Sequence, residues 1–583
     1  MKIFHSISKK RRSAIVVGVI SIVSIMIPLL SLFHTEFFRV HDFTQGARVI
    51  EMFRGFQDGQ IPVRWSQNFG FGYGMPTFLF YAPFPYIVGA AIYWFSQDLV
   101  FSLRIIWALP TIFSFLGMYL FTKKYLGKWG ALIAAVSFTL APYRAVDLYV
   151  RGAIGEVWGI AFFPWLLIAV DDWFDNPRLI DPKLSLLTGL LLITHNLMAM
   201  FFLPVLVVYG LLKLIVGKKI HFKILLLFFI QILIGIGISA FFILPALVEQ
   251  NETQIQSRIL SGYFSYVQHF VYIRQFFQEN WKYGGSVWGP FDDISFFLGY
   301  GQLMGGVLLG IVTLYWLVRK STQLKRPIHF LKRLLDDNRE LLPITILATV
   351  FFPVSLFLCV QKSEFFWKLS TLLQAAQFPW RFLSLTVFSL AILNGLIFRF
   401  VLPKYAKPVL FFTLFIVLVI PSFKYFRPER FLDESIGSYY TDAHLIRFKM
   451  SETWPDFLPI NFNGDITPTD ERFTLPVGSN PKEVEVLIDR TSQLALQTHF
   501  AAPALVTLNI ADFPGWTVFI DGQEVTTTQN RDGLLQLTVP IGEHLLSAEL
   551  ERTPIRLIAD IITVCSLSIL IGGQIILFRK KEV

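Results

Sequence analysis

The stretch whose reading decides the fold is residues 36–86, EFFRVHDFTQGARVIEMFRGFQDGQIPVRWSQNFGFGYGMPTFLFYAPFPY. It follows an apolar run at 14–33 that is preceded by Lys9, Lys10, Arg11 and Arg12. That run is about 20 residues long without a small-residue cleavage site, so it reads as a retained anchor with its N-terminus in the cytoplasm. The loop beyond it packs acids, arginines, glycines and aromatics beside a membrane surface, where burying charge is costly and marks function. Its chemistry centres on His41 and Asp42.

The 583 residues are 54% hydrophobic with a formal charge of +10, which excludes one soluble domain and implies repeated spans. Lys and Arg cluster in short segments between apolar runs, so the charge follows the positive-inside pattern and calls for no nucleic acid. Cys359 and Cys565 both lie in apolar runs and suggest neither a disulfide framework nor a metal cluster. No nucleotide-binding or HExxH pattern is present. A transferase on the outer face would then need an activated donor carried by the membrane itself.

Downstream of the loop, PTFLFYAPFPYIVGAAIYWF (76–95) is apolar but holds three prolines and is followed at once by another run, 100–122. The lysines at 123, 124 and 128 favour a segment that dips rather than crosses, which puts APYRAVDLYVRGAIGE (141–156) on the same side as Asp42. Further spans read at 128–143, 153–170, two within 184–216 broken at Thr194, His195 and Asn196, then 223–247, 295–318, 341–361, 380–401, 407–424 and 555–578. This gives an α-helical polytopic membrane protein of about twelve spans, with both termini inside. Residues 425–553 change to period-two alternation, an outer all-β, sandwich-like domain with Asp-Gly turns at 521–522 and 532–533. The domains are therefore 1–424, containing the outer loop 34–98, then 425–553, then the anchor and tail 554–583.

HDFTQGARV, GQIPVRW, GYGMPTFLFYAPFPY and LYVRGAIGE together resemble the integral-membrane glycosyltransferases of the C-type fold, within them the bacterial 6-pyruvoyl-tetrahydropterin-synthase-related membrane proteins; that label carries no pterin chemistry. The tail, NIADFPGWTVFIDGQEV with VPIGEHLLSAEL, resembles the C-terminal region of YfhO-type envelope proteins. The resemblance implies a polyprenyl-phosphate-linked sugar as donor, a cell-envelope polymer or glycan as acceptor, and a plasma-membrane enzyme whose active face is extracytoplasmic. It puts the first acid at Asp42 and the second at Glu156, or less well Asp147. No DxD or clear metal-binding acid pair is present, so no cofactor is called for and a divalent cation stays open.

Each candidate has a competing structural assignment. Asp42 would take the proton of an acceptor hydroxyl, or cap the helix starting near Thr44. His41 would tune Asp42 or sit at the interface. Arg381 in FPWRF, Arg151 and Arg144 would hold the donor phosphate, or snorkel at helix ends. Arg64 would bind substrate, or stack on Trp65. Glu156 would hold the acceptor, or pair with Arg151. His195 would bind substrate, or mark a polar helix turn. A transporter of a lipid-linked precursor and an inert envelope scaffold are the alternatives in other classes; the repeated halves of a transporter are not evident.

Overall fold

The computed structural model describes residues 2–217, 221–255, 257, 261–321, 339–399, 406–432, 436–451, 457–476 and 483–579. Among these, eight helices are long and apolar enough to cross a membrane, beginning with Ala14–Phe33 and ending with Pro554–Ile575. The pair Phe222–Ile238 and Ala240–Glu252, bent by 72°, makes a ninth if it is one span. That count takes the expected spans 100–122 and 128–143 as the single helix Leu99–Thr139. Pro182–Thr194 is apolar but short, Tyr300–Tyr315 is the apolar part of a helix that runs on to Ser321, and the basic loop expected at 319–339 lies mostly outside the described residues.

The expected spans 100–122 and 128–143 form one assignment, Leu99–Thr139, that leaves helical geometry at Gly127 (φ 69°, ψ −177°). Trp107 Nε1 donates to Leu148 O at 3.2 Å and Arg144 Nη2 to Ser114 Oγ at 2.8 Å. A continuous helix would hold these partners tens of ångströms apart, so the chain reverses at Gly127 and its halves lie side by side. Phe84–Ser96 has 13 residues, about 20 Å against a hydrocarbon core of about 30 Å. The 76–95 segment thus enters the bundle without the length to cross it.

The centre of the bundle is built from the Pro379–Arg399 span, fully buried, and Ile154–Asp175, 89% buried, while Pro554–Ile575 lies at the rim with 22% buried. Lys124 pairs with Asp175 at 2.8 Å and Lys213 with Asp171 at 2.9 Å. Glu156 sits at the other end of that same helix, about 30 Å away at 1.5 Å per residue. The lysine turn and the Asp42 loop consequently occupy opposite ends of the bundle, the relation that the charge distribution predicts.

The β region holds two antiparallel sheets. One has four strands, among them Ala504–Ala511 and Leu534–Val539; the other has five, with Gln493–Phe500 beside Gly542–Leu550. Leu494, Leu496 and Thr498 are buried on alternate positions, as a half-buried strand requires. The predicted turns are present: Asp521 and Gly522 both have positive φ (52° and 80°), the signature of a two-residue I′ hairpin. The strands begin at Phe473 rather than 425; the residues before them include the helix Ile436–Thr441 and a π-helical turn Ile446–Met450.

The opening loop joins the two regions. Ala511 N donates to Tyr73 O at 2.8 Å, Thr469 N to Phe71 O at 3.0 Å and Arg447 Nε to Asn68 Oδ1 at 2.8 Å. Its glycines are architectural. Gly74 has φ +86°, and a Cβ there would lie 2.4 Å from Trp65 Nε1. The last helix is tied in by Arg556, 1% exposed, which bonds Glu249 Oε2 at 3.0 Å and Pro514 O at 2.8 Å. Arg556→Met would leave a buried carboxylate without its cation, and the expected cost is about 3–5 kcal/mol, read as a lower thermal midpoint in detergent.

Candidate functional site

Two backbone contacts create the site. His41 N donates to Val150 O and Asp42 N to Arg151 O, both at 2.9 Å. They clip the start of the loop onto Val146–Arg151, a π-helical turn of the kind that recurs at functional positions. The turn ends at Gly152, where φ is +66° and a Cβ would lie 2.5 Å from Val40 Cγ2. Only glycine permits both the left-handed backbone and the close approach.

The Asp42 carboxylate is oriented from three sides. Gln45 Nε2 reaches Oδ2 at 2.7 Å, Tyr81 OH reaches it at 3.3 Å, and Arg48 Nη1 lies 3.2 Å from Oδ1. Arg48 is 2% exposed and its guanidinium lies 4.0 Å from the centroid of Tyr81. Asp42 is not the helix cap: Thr44 occupies the N-cap of Gln45–Gln57, without a side-chain capping bond. Among the described residues Oδ1 accepts from Arg48 alone, so it is the oxygen with most capacity left for a hydroxyl proton. His41 Nε2 lies 2.8 Å from Tyr283 O. A carbonyl only accepts, so Nε2 carries the hydrogen and, in the neutral ring, Nδ1 is the acceptor.

Behind this loop the second acid anchors a buried charge cluster. Glu156, 0% exposed, takes Arg151 Nη1 on Oε2 at 2.8 Å, with Arg381 Nε 3.5 Å away, and Tyr143 OH on Oε1. Arg151 also binds Asp147 Oδ1, while Asp147 Oδ2 is buried without a hydrogen-bond partner among the described residues. Burial drives the Asp147 carboxyl well above its ordinary range, repulsion from Glu156 adding to this and Arg151 opposing it. Four guanidinium groups, of Arg48, Arg144, Arg151 and Arg381, therefore accompany three carboxyl groups, of Asp42, Asp147 and Glu156.

Arg381 is delivered by the proline of FPWRF, which starts the 3-10 turn Pro379–Phe382. Its Nη1 bonds Ala376 O at 2.8 Å and Gln377 Oε1 at 3.1 Å, and its Nε has no hydrogen-bond partner among the described residues. Trp380 of the same turn lies 4.6 Å from the Arg151 guanidinium; its indole N–H donates to Ser286 Oγ at 3.2 Å, and Ser286 meets His269 Nδ1 at 2.7 Å.

The structure thus brings together Asp42, His41, Arg151, Glu156 and Arg381. Arg144 stands behind them, bonded to Ser114 Oγ and to Val157 O at 3.3 Å. His195 occupies the break between Pro182–Thr194 and Asn196–Gly217, with its ring against Gly155, next to Glu156; its Nδ1 accepts from Met198 N at 3.2 Å. Arg64 is placed apart from the cluster: it pairs with Asp560 of the last helix at 2.6 Å and acts as a tie between loop and anchor. Sequence reasoning missed Arg48, Tyr81, Tyr143 and Trp380, whose roles depend on contacts between distant segments. Among the described residues no group of three His, Cys, Asp or Glu could hold a metal; Arg151 lies between the two buried acids.

Because Arg151 is the shared partner of Asp147 and Glu156, Arg151→Met leaves the buried Asp147 without its cation and Glu156 with Arg381 alone. The expected loss is about 3–5 kcal/mol of stability, measured by thermal unfolding.

Residues 78–428 match the family described as 6-pyruvoyl-tetrahydropterin synthase related domain, a membrane protein. The chain belongs to this family. The matched span takes in Glu156, Arg151 and Arg381 but begins after Asp42. An uncharacterized protein of Lactococcus lactis subsp. cremoris (strain MG1363) is 26% identical to this family member over 260 residues, 43% of the chain. The chain spans 40% of that relative's length. A solved structure of ArnT from Cupriavidus metallidurans bound to undecaprenyl phosphate is similar at 13% identity, covering 74% of this chain and 76% of that one, with a TM-score of 0.38.

Proposed function

We propose that this chain is a plasma-membrane glycosyltransferase that moves a sugar from a polyprenyl-phosphate donor to a hydroxyl of an extracytoplasmic cell-envelope glycan or polymer. The observation that carries the reading is the junction of an oriented carboxylate, Asp42, with a cluster holding more guanidinium groups than carboxyl groups. Such a surplus suits a leaving phosphate, whose negative charge grows as the sugar departs and which needs donors placed in advance.

In the reaction, Asp42 Oδ1 takes the proton of the acceptor hydroxyl as its oxygen forms a bond to the anomeric carbon. The bond from that carbon to the phosphate oxygen breaks, and polyprenyl phosphate leaves with the electron pair. One displacement inverts the anomeric configuration. Arg381 and Arg151 face the phosphate, with Glu156, itself held by the Tyr143 hydroxyl, fixing Arg151 in place. Asp147 Oδ2, buried and unpartnered among the described residues, is available to a donor-sugar hydroxyl.

A binding test comes before any turnover. Polyprenyl phosphate is expected to raise the thermal midpoint of the purified chain by mass action, and the rise should vanish in Arg381→Gln. Equal stabilisation by polyprenol lacking the phosphate would overturn the assignment of the cluster.

A further inference from the structure

A groove of about 720 Å³ lies between residues 274–280 and 290–296, closed by Tyr300 and Lys424. Its wall combines two kinds of surface. Phe277 and Phe291 line it and are 55% and 78% exposed. Gln278, Arg274 and Asn280 supply amide and guanidinium groups alongside, and Glu279 is held between Lys424 and Tyr300, whose hydroxyl donates to it at 2.9 Å.

The groove adjoins the charge cluster. Phe296 of its wall packs on Trp380 with ring centroids 5.8 Å apart, and the Arg151 guanidinium lies 4.6 Å from that same Trp380 ring. Four residues beyond Glu279, Tyr283 accepts the His41 ring N–H through its carbonyl. One layer of aromatic side chains separates groove and site.

The geometry points to a carbohydrate-binding subsite: the groove takes the chain of sugar residues that carries the acceptor hydroxyl. Bare rings beside amides and a fixed carboxylate match a polyhydroxylated ring, which offers an apolar face to Phe277 and Phe291 and hydroxyls to Gln278, Asn280 and Glu279. A lipid chain in the same place would strip water from the Glu279–Lys424 pair and return no hydrogen bonds, which is unfavourable. The role as acceptor subsite rests on the transferase reading above; binding of the glycan does not.

The test uses the full chain in phosphatidylglycerol nanodiscs and saturation-transfer NMR with maltohexaose, cellohexaose and chitohexaose as probes. Saturation is expected on at least one hexasaccharide, reduced at least about fivefold in Phe277→Ala/Phe291→Ala. Both rings are exposed, so that variant keeps its fold, and its thermal midpoint checks this. Absence of saturation on all three probes, or equal saturation in the variant, overturns the proposal. In the transfer assay the same variant should raise the acceptor KM about fivefold with kcat and donor KM unchanged. Hexasaccharide binding without any transfer would remove the transferase reading and leave the groove; transfer with an unchanged acceptor KM would do the reverse.

Discussion

Asp42→Asn is expected to lower the rate of sugar transfer by about 10²–10⁴-fold, the range for loss of a positioned general base. The variant also removes the Asp42 carboxylate that pairs with Arg48, which is 2% exposed, and breaking a buried ion pair costs about 3–5 kcal/mol. Lost stability and lost chemistry therefore arrive together, and a second variant separates them. Asp42→Asn/Arg48→Met removes both charges, so the thermal midpoint should recover toward that of the native chain while transfer stays at the level of the single variant. Recovery of transfer along with stability would make Asp42 a structural partner of Arg48 and nothing more.

The second large effect is expected at Arg381. Arg381→Gln should cut transfer at least about 10²-fold, as for removal of a donor aimed at charge that develops in the transition state. Its stability should change far less than that of Arg151→Met, because Glu156 keeps Arg151 at 2.8 Å and the Tyr143 hydroxyl. Arg381→Lys keeps the charge without the planar fork, and should lie between the two. Equal losses of stability in Arg151→Met and Arg381→Gln would show that Arg381 is held for the fold. Rate measurements beside melting curves make the comparison.

Local signals in the sequence carried the parts of this architecture that depend on few residues. Asp521-Gly522 produced its hairpin because two positive φ angles are needed and that dipeptide accepts them. The polar tripeptide at 194–196 broke its apolar run, with His195 at the break between Pro182–Thr194 and Asn196–Gly217. FPWRF placed Arg381 at a helix entry, and the acid of HDF reached the same end of the bundle as Glu156. Bends within a span were less legible: hydropathy registers apolar length without asking whether a segment bends, as at Phe222–Ile238 and Ala240–Glu252.

The partners of the buried charges were the least legible part. Arg48 is six residues from Asp42, and nothing local says that the chain between them turns so that they meet. Nothing in FPWRF itself shows that Trp380 lies against Arg151. Arg64 looked like its neighbours in a charged loop, yet its partner, Asp560, lies nearly 500 residues onward. Such pairs are chosen by the cost of leaving a charge unpaired in an apolar bundle, a property of the assembled fold.

The most direct measurement incubates the purified, folded chain with labelled polyprenyl-phosphate sugars and an envelope-glycan acceptor, and follows both products. One polyprenyl phosphate is expected for each glycosidic bond formed, with inverted anomeric configuration and with both products lost in Asp42→Asn/Arg48→Met. Unchanged transfer by that folded double variant would contradict the central claim that Asp42 activates the acceptor beside the guanidinium cluster.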